Sequence, residues 1–123
     1  MAHQRQPGQR QLRVGEEIRH VLSELFMRGD LHDPALAGRA ITVSEVRMSP
    51  DLTHATVFVL PLGGEEVADV LKGLERAAPF IRGEVGRRVR LRLTPTLSFR
   101  EDKGFDHADR IDRLLKGRDG PAS

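Results

Sequence analysis

Residues Val89 to Phe99, VRLRLTPTLSF, alternate between apolar and polar side chains, and Pro95 keeps the phase. A period of two is that of a β-strand, in which successive side chains point to opposite faces of a sheet. The pattern therefore predicts a strand with one face in a core and the other lined by arginine and hydroxyl groups. Because Pro95 has no amide hydrogen to donate, this strand should lie at a sheet edge or bend there.

Two other parts of the chain have the apolar spacing of helices. The first predicts a helix over about 12–28 that ends at Gly29. The second begins near Glu65 and is interrupted by a proline, which cannot continue a helix but fits the first turn of a new one. The sequence thus predicts two helices separated by a sharp interhelical kink, the second covering about 80–88. The kink consists of Ala77, Ala78 and Pro79.

Two β-rich segments lie between the helices. ITVSEVRM (41–48) and HATVFVL (54–60) are rich in β-branched residues, and the short SPDL turn between them favours antiparallel pairing. The apolar alternation of the first segment shifts phase after Val43, which indicates a β-bulge. Pro61 and the glycines after it are expected to end the second strand.

The order of these elements, α-β-β-α-kink-α-β, is that of a type II KH-like fold. It predicts an α+β protein with a three-stranded sheet and helices on one face, followed by a short C-terminal helix that Asp106 could cap. We divide the chain into a disordered basic arm (1–11), a KH-like RNA-binding domain (12–100), an extension with the short helix (101–116) and a disordered tail (117–123).

Positive charge is concentrated in one region. Residues 76–100 contain seven arginines and a single acid, giving a local charge of +6 and leaving −4 for the remainder of a chain whose net charge is +2. Such a stripe is typical of a polyanion-binding face, since the guanidinium fork matches phosphate. The alternative is that these arginines only solvate an exposed strand and helix. The predicted RNA-binding residues are Arg76, Arg82, Arg87, Arg88, Arg90 and Arg92, with Arg5, Arg10 and Arg13 of the arm as auxiliaries.

KH domains hold nucleic-acid backbone with a GxxG loop between two helices. The sequence GEVG matches it at Gly83 to Gly86, but the predicted strand begins at Val89 and leaves no room for the helix that must follow. We therefore interpret GEVG as two glycines in a short arginine-bearing helix.

The sequence lacks many of the residues that enzymes and metal-binding proteins use. Without cysteine, tyrosine or tryptophan there is no thiol nucleophile or thiolate metal site, and base stacking is not expected to dominate. The best metal candidates are too few and poorly spaced: Asp102, Asp106, His107 and Asp109. His20 and His54 are isolated and are interpreted as structural or solvated. The chain is predicted to be a non-enzyme with no cofactor and no metal.

No segment has an apolar run long enough for a signal peptide or a membrane span, so a cytoplasmic protein without membrane contact is expected.

Three stretches resemble the ribosome-binding factor A family, whose members have a KH fold without GxxG. They are SPDLTHATVFV, the Leu12 to Phe26 helix and LERAAPFIRGEVGRRVRLRLTPTLSFRED, in which TPTLSFRED is the most specific part. The resemblance covers about residues 10–116. Family members have an AxG sequence at the kink, and this chain lacks that glycine.

The resemblance implies a monomeric factor that binds the immature small ribosomal subunit and its 16S rRNA near the decoding region. It would assist late maturation, including that of the 5′-end helix of the rRNA, and leave before translation, and family members are associated with growth in the cold. The alternative is a generic KH-like RNA-binding or protein-interaction module acting elsewhere on the ribosome.

Overall fold

A computed structural model describes residues 7–29, 31–62 and 66–104. Its helices and strands are α1 (Gln9–Arg28), β1 (Ala40–Met48), β2 (His54–Leu62), α2 (Val67–Arg88) and β3 (Thr96–Glu101). The predicted α+β class and three-stranded sheet are confirmed. The predicted C-terminal helix, the tail, Arg5, Asp106, His107 and Asp109 lie outside the described residues.

Helix α1 begins earlier than predicted. Gln9, Arg10 and Gln11 are helical, so this part of the predicted disordered arm is wrong and Arg10 lies on α1. Gln11 accepts a hydrogen bond from the amide of Gly8 through Oε1 (2.9 Å), which satisfies a backbone donor near the helix start. At the other end, Gly29 takes the predicted capping position with a positive φ of 72°.

The sheet has the order β1-β2-β3. β1 and β2 are antiparallel as predicted, and the predicted bulge is found between Val43 and Glu45. β2 and β3 are parallel, with His54 opposite Thr96 and Val59 opposite Glu101. β2 does not end at Pro61 but continues to Leu62. Among the described strands β3 is at an edge of the sheet, as predicted.

The predicted strand over 89–95 is wrong. β3 begins only at Thr96, whose amide donates to the carbonyl oxygen of Thr53 (2.9 Å) at the start of β2. Residues before Thr96 therefore pass beyond the end of β2 and have no strand to pair with, and Pro95 could not donate to one. The apolar side chains of this segment become more exposed along the chain: Val89 is buried, Leu91 is half-buried and Leu93 is 65% exposed.

Helix α2 is continuous through Pro79, so the predicted division into two separate helices is wrong. Pro79 removes one backbone hydrogen bond at a cost of about 3 kcal/mol. Side chains on both sides of it are fully buried against the sheet: Val70 and Leu74 before it, Ile81 and Val85 after it. Burial of four aliphatic side chains, each contributing about 1.5–3 kcal/mol, outweighs the lost bond and keeps the helix in one piece.

The core lies between the helices and one face of the sheet. On β2 the core residues alternate, Ala55, Val57 and Val59, and side chains of both helices cover them. Helix α1 approaches β1 closely at Gly15, where a β-carbon would lie 2.6 Å from the carbonyl oxygen of Val46. Only glycine allows this distance, so Gly15 fixes the position of α1 on the sheet.

Candidate nucleic-acid interface

A groove runs between α1 and the C-terminal end of α2. On α1, Arg13, Glu17, His20 and Glu24 are spaced by three or four residues, which places them on one stripe of the helix. The end of α2 lies beside this stripe. The resulting recess of about 640 Å³, here called the α1–α2 groove, is lined by Arg13, Glu16, Glu17, His20, Val21, Arg88, Val89 and Arg90.

The acids in the groove and beside it differ in their pairing. Glu16 accepts two hydrogen bonds from Arg19 (both 2.9 Å), and these lower the pKa of its carboxyl. Arg88 pairs with Glu24, and that hydrogen bond lowers the pKa of the Glu24 carboxyl. Glu17 has no ion pair within the described residues. The paired acids stay charged near neutral pH, and Glu24 partly neutralises Arg88.

Two groove arginines, Arg13 and Arg90, are exposed and form no ion pair among the residues that the structure describes. Arg92 is in the same state two residues beyond Arg90, and Arg10 is one helical turn before Arg13. Arg90 and Arg92 lie on the irregular segment 89–95 and not on the open face of a strand as predicted. Within the described residues, the predicted residues Arg10, Arg13, Arg90 and Arg92 therefore have no ion pair, and two of them, Arg13 and Arg90, line the groove.

Arg82 holds the segment 89–95 in place. Its Nη2 donates to the carbonyl oxygen of Thr94 (2.7 Å) and its Nε to that of Pro95 (3.0 Å). Thr94 also packs where a β-carbon on Gly86 would stand, 2.9 Å from the Thr94 hydroxyl. GEVG thus lies within α2, as interpreted from the sequence, and Gly86 serves packing. Arg82 therefore holds the segment that carries Arg90 and Arg92, and two of its five N–H donors are used within the protein.

The two remaining predicted arginines are also ion-paired. Arg87 pairs with Glu84 one turn earlier on α2. Arg76 contacts Asp33 through Nε and Nη2, both at 2.8 Å, and ties α2 to the loop before β1. Arg76 is twelve residues before Arg88, about 18 Å along the helix, and borders a different recess with Arg39 and Lys72. The structure does not bring Arg76 to the groove.

Arg76 sets the titration of Asp33. The hydrogen bonds from Arg76 and from the Ala35 amide lower the pKa of Asp33 to about 2. Because this pKa is lower than in the unfolded chain, the pair stabilises the fold above pH 4 and the stabilisation is lost as the pH falls towards 2. We expect Arg76→Gln to raise the pKa of Asp33 towards 3.8, measured by NMR titration of the carboxyl carbon.

Asp51 is the internal control for that titration. Hydrogen bonds from Ser49 and Thr53 lower its pKa, and Arg76 is not among its partners. Arg76→Gln should therefore leave the Asp51 curve unchanged. An unshifted Asp33 curve in this variant would contradict the importance of the ion pair.

The remaining candidates have structural surroundings. Asp102 is buried and accepts a hydrogen bond from the Gly104 amide (3.0 Å), and His54 Nε2 lies 2.9 Å from the Ser98 hydroxyl. Within 7–29, 31–62 and 66–104 no three acidic, histidine or cysteine side chains are grouped as metal ligands. None of the described helices is long and apolar enough to cross a bilayer.

Sequence reasoning missed His20, which lines the groove, and Glu24, which pairs with the groove residue Arg88. His20 was set aside as isolated, and Glu24 was not considered. The spacing of Arg13, His20 and Glu24 on one helical stripe was a usable signal. The pairing of Glu24 with Arg88, 64 residues later, could not be inferred from the sequence.

Comparison with known proteins identifies similar chains. A family model described as Ribosome-binding factor A matches residues 10–115. A relative of that name from Paramagnetospirillum magneticum is 60% identical over 109 residues, which are 89% of this chain and 77% of the relative. Another from Methylocella silvestris is 56% identical over 110 residues, 89% of this chain and 71% of the relative.

Solved structures agree with the sequence matches. The crystal structure of ribosome-binding factor A from Thermus thermophilus superimposes with a TM-score of 0.62 and 31% identity, covering 74% of this chain and 94% of the other. A homology model of the Thermus thermophilus factor, fitted into a cryo-electron-microscopy map of a 30S complex, gives a TM-score of 0.59 and 31% identity, covering 73% of this chain and 92% of the other.

Proposed function

This chain belongs to the ribosome-binding factor A family, and we propose that it binds the small ribosomal subunit through the α1–α2 groove and Arg92. The family is one of ribosome-binding factors, in agreement with the prediction that the chain is not an enzyme. The relative fitted into a 30S complex supports the choice of subunit.

The observation that carries the proposal is the set of free guanidinium groups around the groove. Arg13 and Arg90 come from segments 77 residues apart in the sequence, yet both line the same recess, and Arg92 follows on the same exposed segment. Guanidinium groups without an internal carboxylate partner can bind phosphate without first breaking an ion pair. The ligand that matches several such groups is the phosphodiester backbone of a nucleic acid, here that of 16S rRNA.

Stacking on bases has a small part in this proposal. Phe58 is 7% exposed and lies under the Arg47 guanidinium, whose Cζ is 4.8 Å from the ring centroid. Phe80 is 46% exposed but lies eight residues before Arg88, about 12 Å along α2. Contacts to phosphate give affinity and orientation without reading sequence, so recognition would depend on the shape of the rRNA and on adjoining ribosomal proteins.

We further propose the finer role that the family resemblance implies. The factor would act on free immature 30S subunits in the cytoplasm as a monomer, assist late maturation of 16S rRNA including its 5′-end helix, and leave before translation. An association with growth in the cold belongs to the same proposal.

Binding to purified small subunits tests the function. We expect the protein to co-sediment with 30S subunits, and we expect its affinity to fall steeply as salt rises from about 50 to 200 mM, because displaced counterions are released on binding. Absence of co-sedimentation at low salt would contradict the proposal.

The alternative, a module that docks on an acidic protein, predicts a different result in the same assay. Complete RNA digestion of the isolated complex should release the factor if rRNA is its main ligand. Retention on the residual proteins would favour a protein partner.

A further inference from the structure

Among the described residues that line the α1–α2 groove, His20 is the only histidine. It is exposed on α1 and faces Arg88 and Arg90 across the groove. Guanidinium and carboxylate groups ordinarily keep their charge between pH 5 and 8, whereas an imidazole ordinarily gains its proton within that range. The charge that the groove presents to a ligand therefore depends on the protonation of His20.

Charged groups face His20 from both sides of the groove. Those on α1 lie three, four or seven residues away, which places them on the same side of the helix: Arg13, Glu16, Glu17 and Glu24. Those across the groove are Arg88, at the end of α2, and Arg90, on the segment 89–95. Hydrogen bonds from Arg19 and Arg88 are the main causes that lower the pKa values of the Glu16 and Glu24 carboxyls, and the charge of His20 lowers both further. A charge on His20 is thus felt on both sides of it along α1.

The charges around His20 nearly cancel when its ring is neutral. Glu16 and Glu24 are each held by an arginine and add little net charge. Among the described residues of the groove, two guanidinium groups and one carboxylate have no ion pair: Arg13, Arg90 and Glu17. Their net charge is about +1, and a proton on His20 would bring it to about +2, so one protonation strongly raises the attraction for phosphate.

We propose that His20 is a further phosphate contact of the α1–α2 groove, which takes up a proton when the groove binds, so that affinity for the small subunit rises as the pH falls from about 8 to about 6. The inference rests on the proposed binding of rRNA in the groove and adds a residue and a pH dependence to it. A phosphate beside an imidazole stabilises the protonated ring. The ring is then protonated more fully in the complex than in the free protein, so a lower pH strengthens binding.

The geometry of a protonated imidazole suits this position. Both of its ring nitrogens donate hydrogen bonds. One N–H can therefore meet a phosphate in the groove while the other meets a neighbouring carboxylate such as Glu17, three residues earlier on the helix.

Binding to purified 30S subunits at two pH values and constant ionic strength tests the inference. At about pH 8 we expect His20→Gln to bind nearly as tightly as the wild-type protein, and at about pH 6 about three- to tenfold more weakly. His20→Arg keeps its positive charge at both pH values and should bind more tightly than the wild-type protein at about pH 8. Comparison of variants at one pH cancels the titration of the subunit itself.

His32→Gln is the matched control. His32 is also exposed, but it lies in the loop between α1 and β1, outside the groove. We expect this variant to bind like the wild-type protein at both pH values. A ratio of wild-type to His20→Gln affinity that is the same at both pH values, or equal effects of the two histidine substitutions, would overturn the inference.

Calorimetry in buffers of different ionisation enthalpy gives an independent reading. At about pH 7 the wild-type protein should take up about half a proton more than His20→Gln on binding the subunit. Equal proton uptake, with binding that still depends on Arg13, Arg90 and Arg92, would overturn the role of His20 alone. If the wild-type protein fails to co-sediment at either pH, the proposed function itself fails, and this inference falls with it.

Discussion

The triple substitution of Arg13, Arg90 and Arg92 by glutamine should lower the affinity for small subunits about 100-fold. Each guanidinium is exposed and has no ion pair among the described residues, so each can be committed to a phosphate. Loss of three phosphate contacts should also reduce the slope of log affinity against log salt by about 2–3, because fewer counterions are released on binding. Filter or sedimentation binding over a range of salt concentrations measures both quantities.

A second triple variant supplies the matched control. Arg47, Arg76 and Arg87 are also surface arginines, but each is paired with a carboxylate outside the groove: Glu45, Asp33 and Glu84 respectively. Their replacement by glutamine changes the net charge by the same three units. We expect less than about a fivefold loss of affinity, since these groups are held within the protein. Equal losses in the two triple variants would mean that net charge, and not the groove, determines binding.

Glu24→Gln should act in the opposite direction in the same assay. The substitution removes the carboxylate that pairs with Arg88 and leaves that guanidinium available to phosphate. We expect affinity to rise about two- to threefold, and an unchanged affinity would indicate that Arg88 does not contact the rRNA.

Gly15→Ala should lower the free energy of unfolding by about 2 kcal/mol. Its β-carbon would stand 2.6 Å from the carbonyl oxygen of Val46, a backbone atom that cannot move without shifting β1. The helix propensity gained from alanine, about 1 kcal/mol, is smaller than the strain of separating α1 from the sheet. Thermal unfolding followed by circular dichroism should show the melting temperature fall by about 10 °C.

Gly83→Ala is the control for this substitution. A β-carbon at Gly83 meets only the end of the Arg87 side chain, at 3.9 Å. Here alanine should stabilise α2 by about 0.5–1 kcal/mol. A stabilising Gly15→Ala, or equal effects at the two positions, would contradict the close packing of α1 on β1.

The sequence predicted the fold class but not how far each element extends. The alternation from Val89 to Phe99 is a local property, whereas a strand also needs a neighbour, and β2 offers a partner only from Thr96 onward. Pro79 was expected to divide a helix. Its effect was overridden by the burial of Leu74 and Ile81 on either side, a tertiary contribution that local propensity does not contain.

For the candidate site, the sequence predicted the region but not which of its arginines are free. Composition located the arginine-rich region, since charge clusters are visible in sequence. Which arginines are free depends on partners distant in the chain: Asp33 is 43 residues from Arg76, and Glu24 is 64 residues from Arg88. Such pairs form only when the chain folds. The sequence therefore treated all these arginines as equivalent, whereas the structure separates those without an ion pair near the groove from those that are paired within the protein.

Gradient sedimentation of a cell extract tests the central claim most directly. The wild-type protein should travel with free 30S subunits and be absent from 70S ribosomes and polysomes, while the Arg13, Arg90 and Arg92 variant should remain near the top of the gradient. Equal abundance of the wild-type protein on translating ribosomes, or an unchanged 30S peak for the variant, would contradict the account.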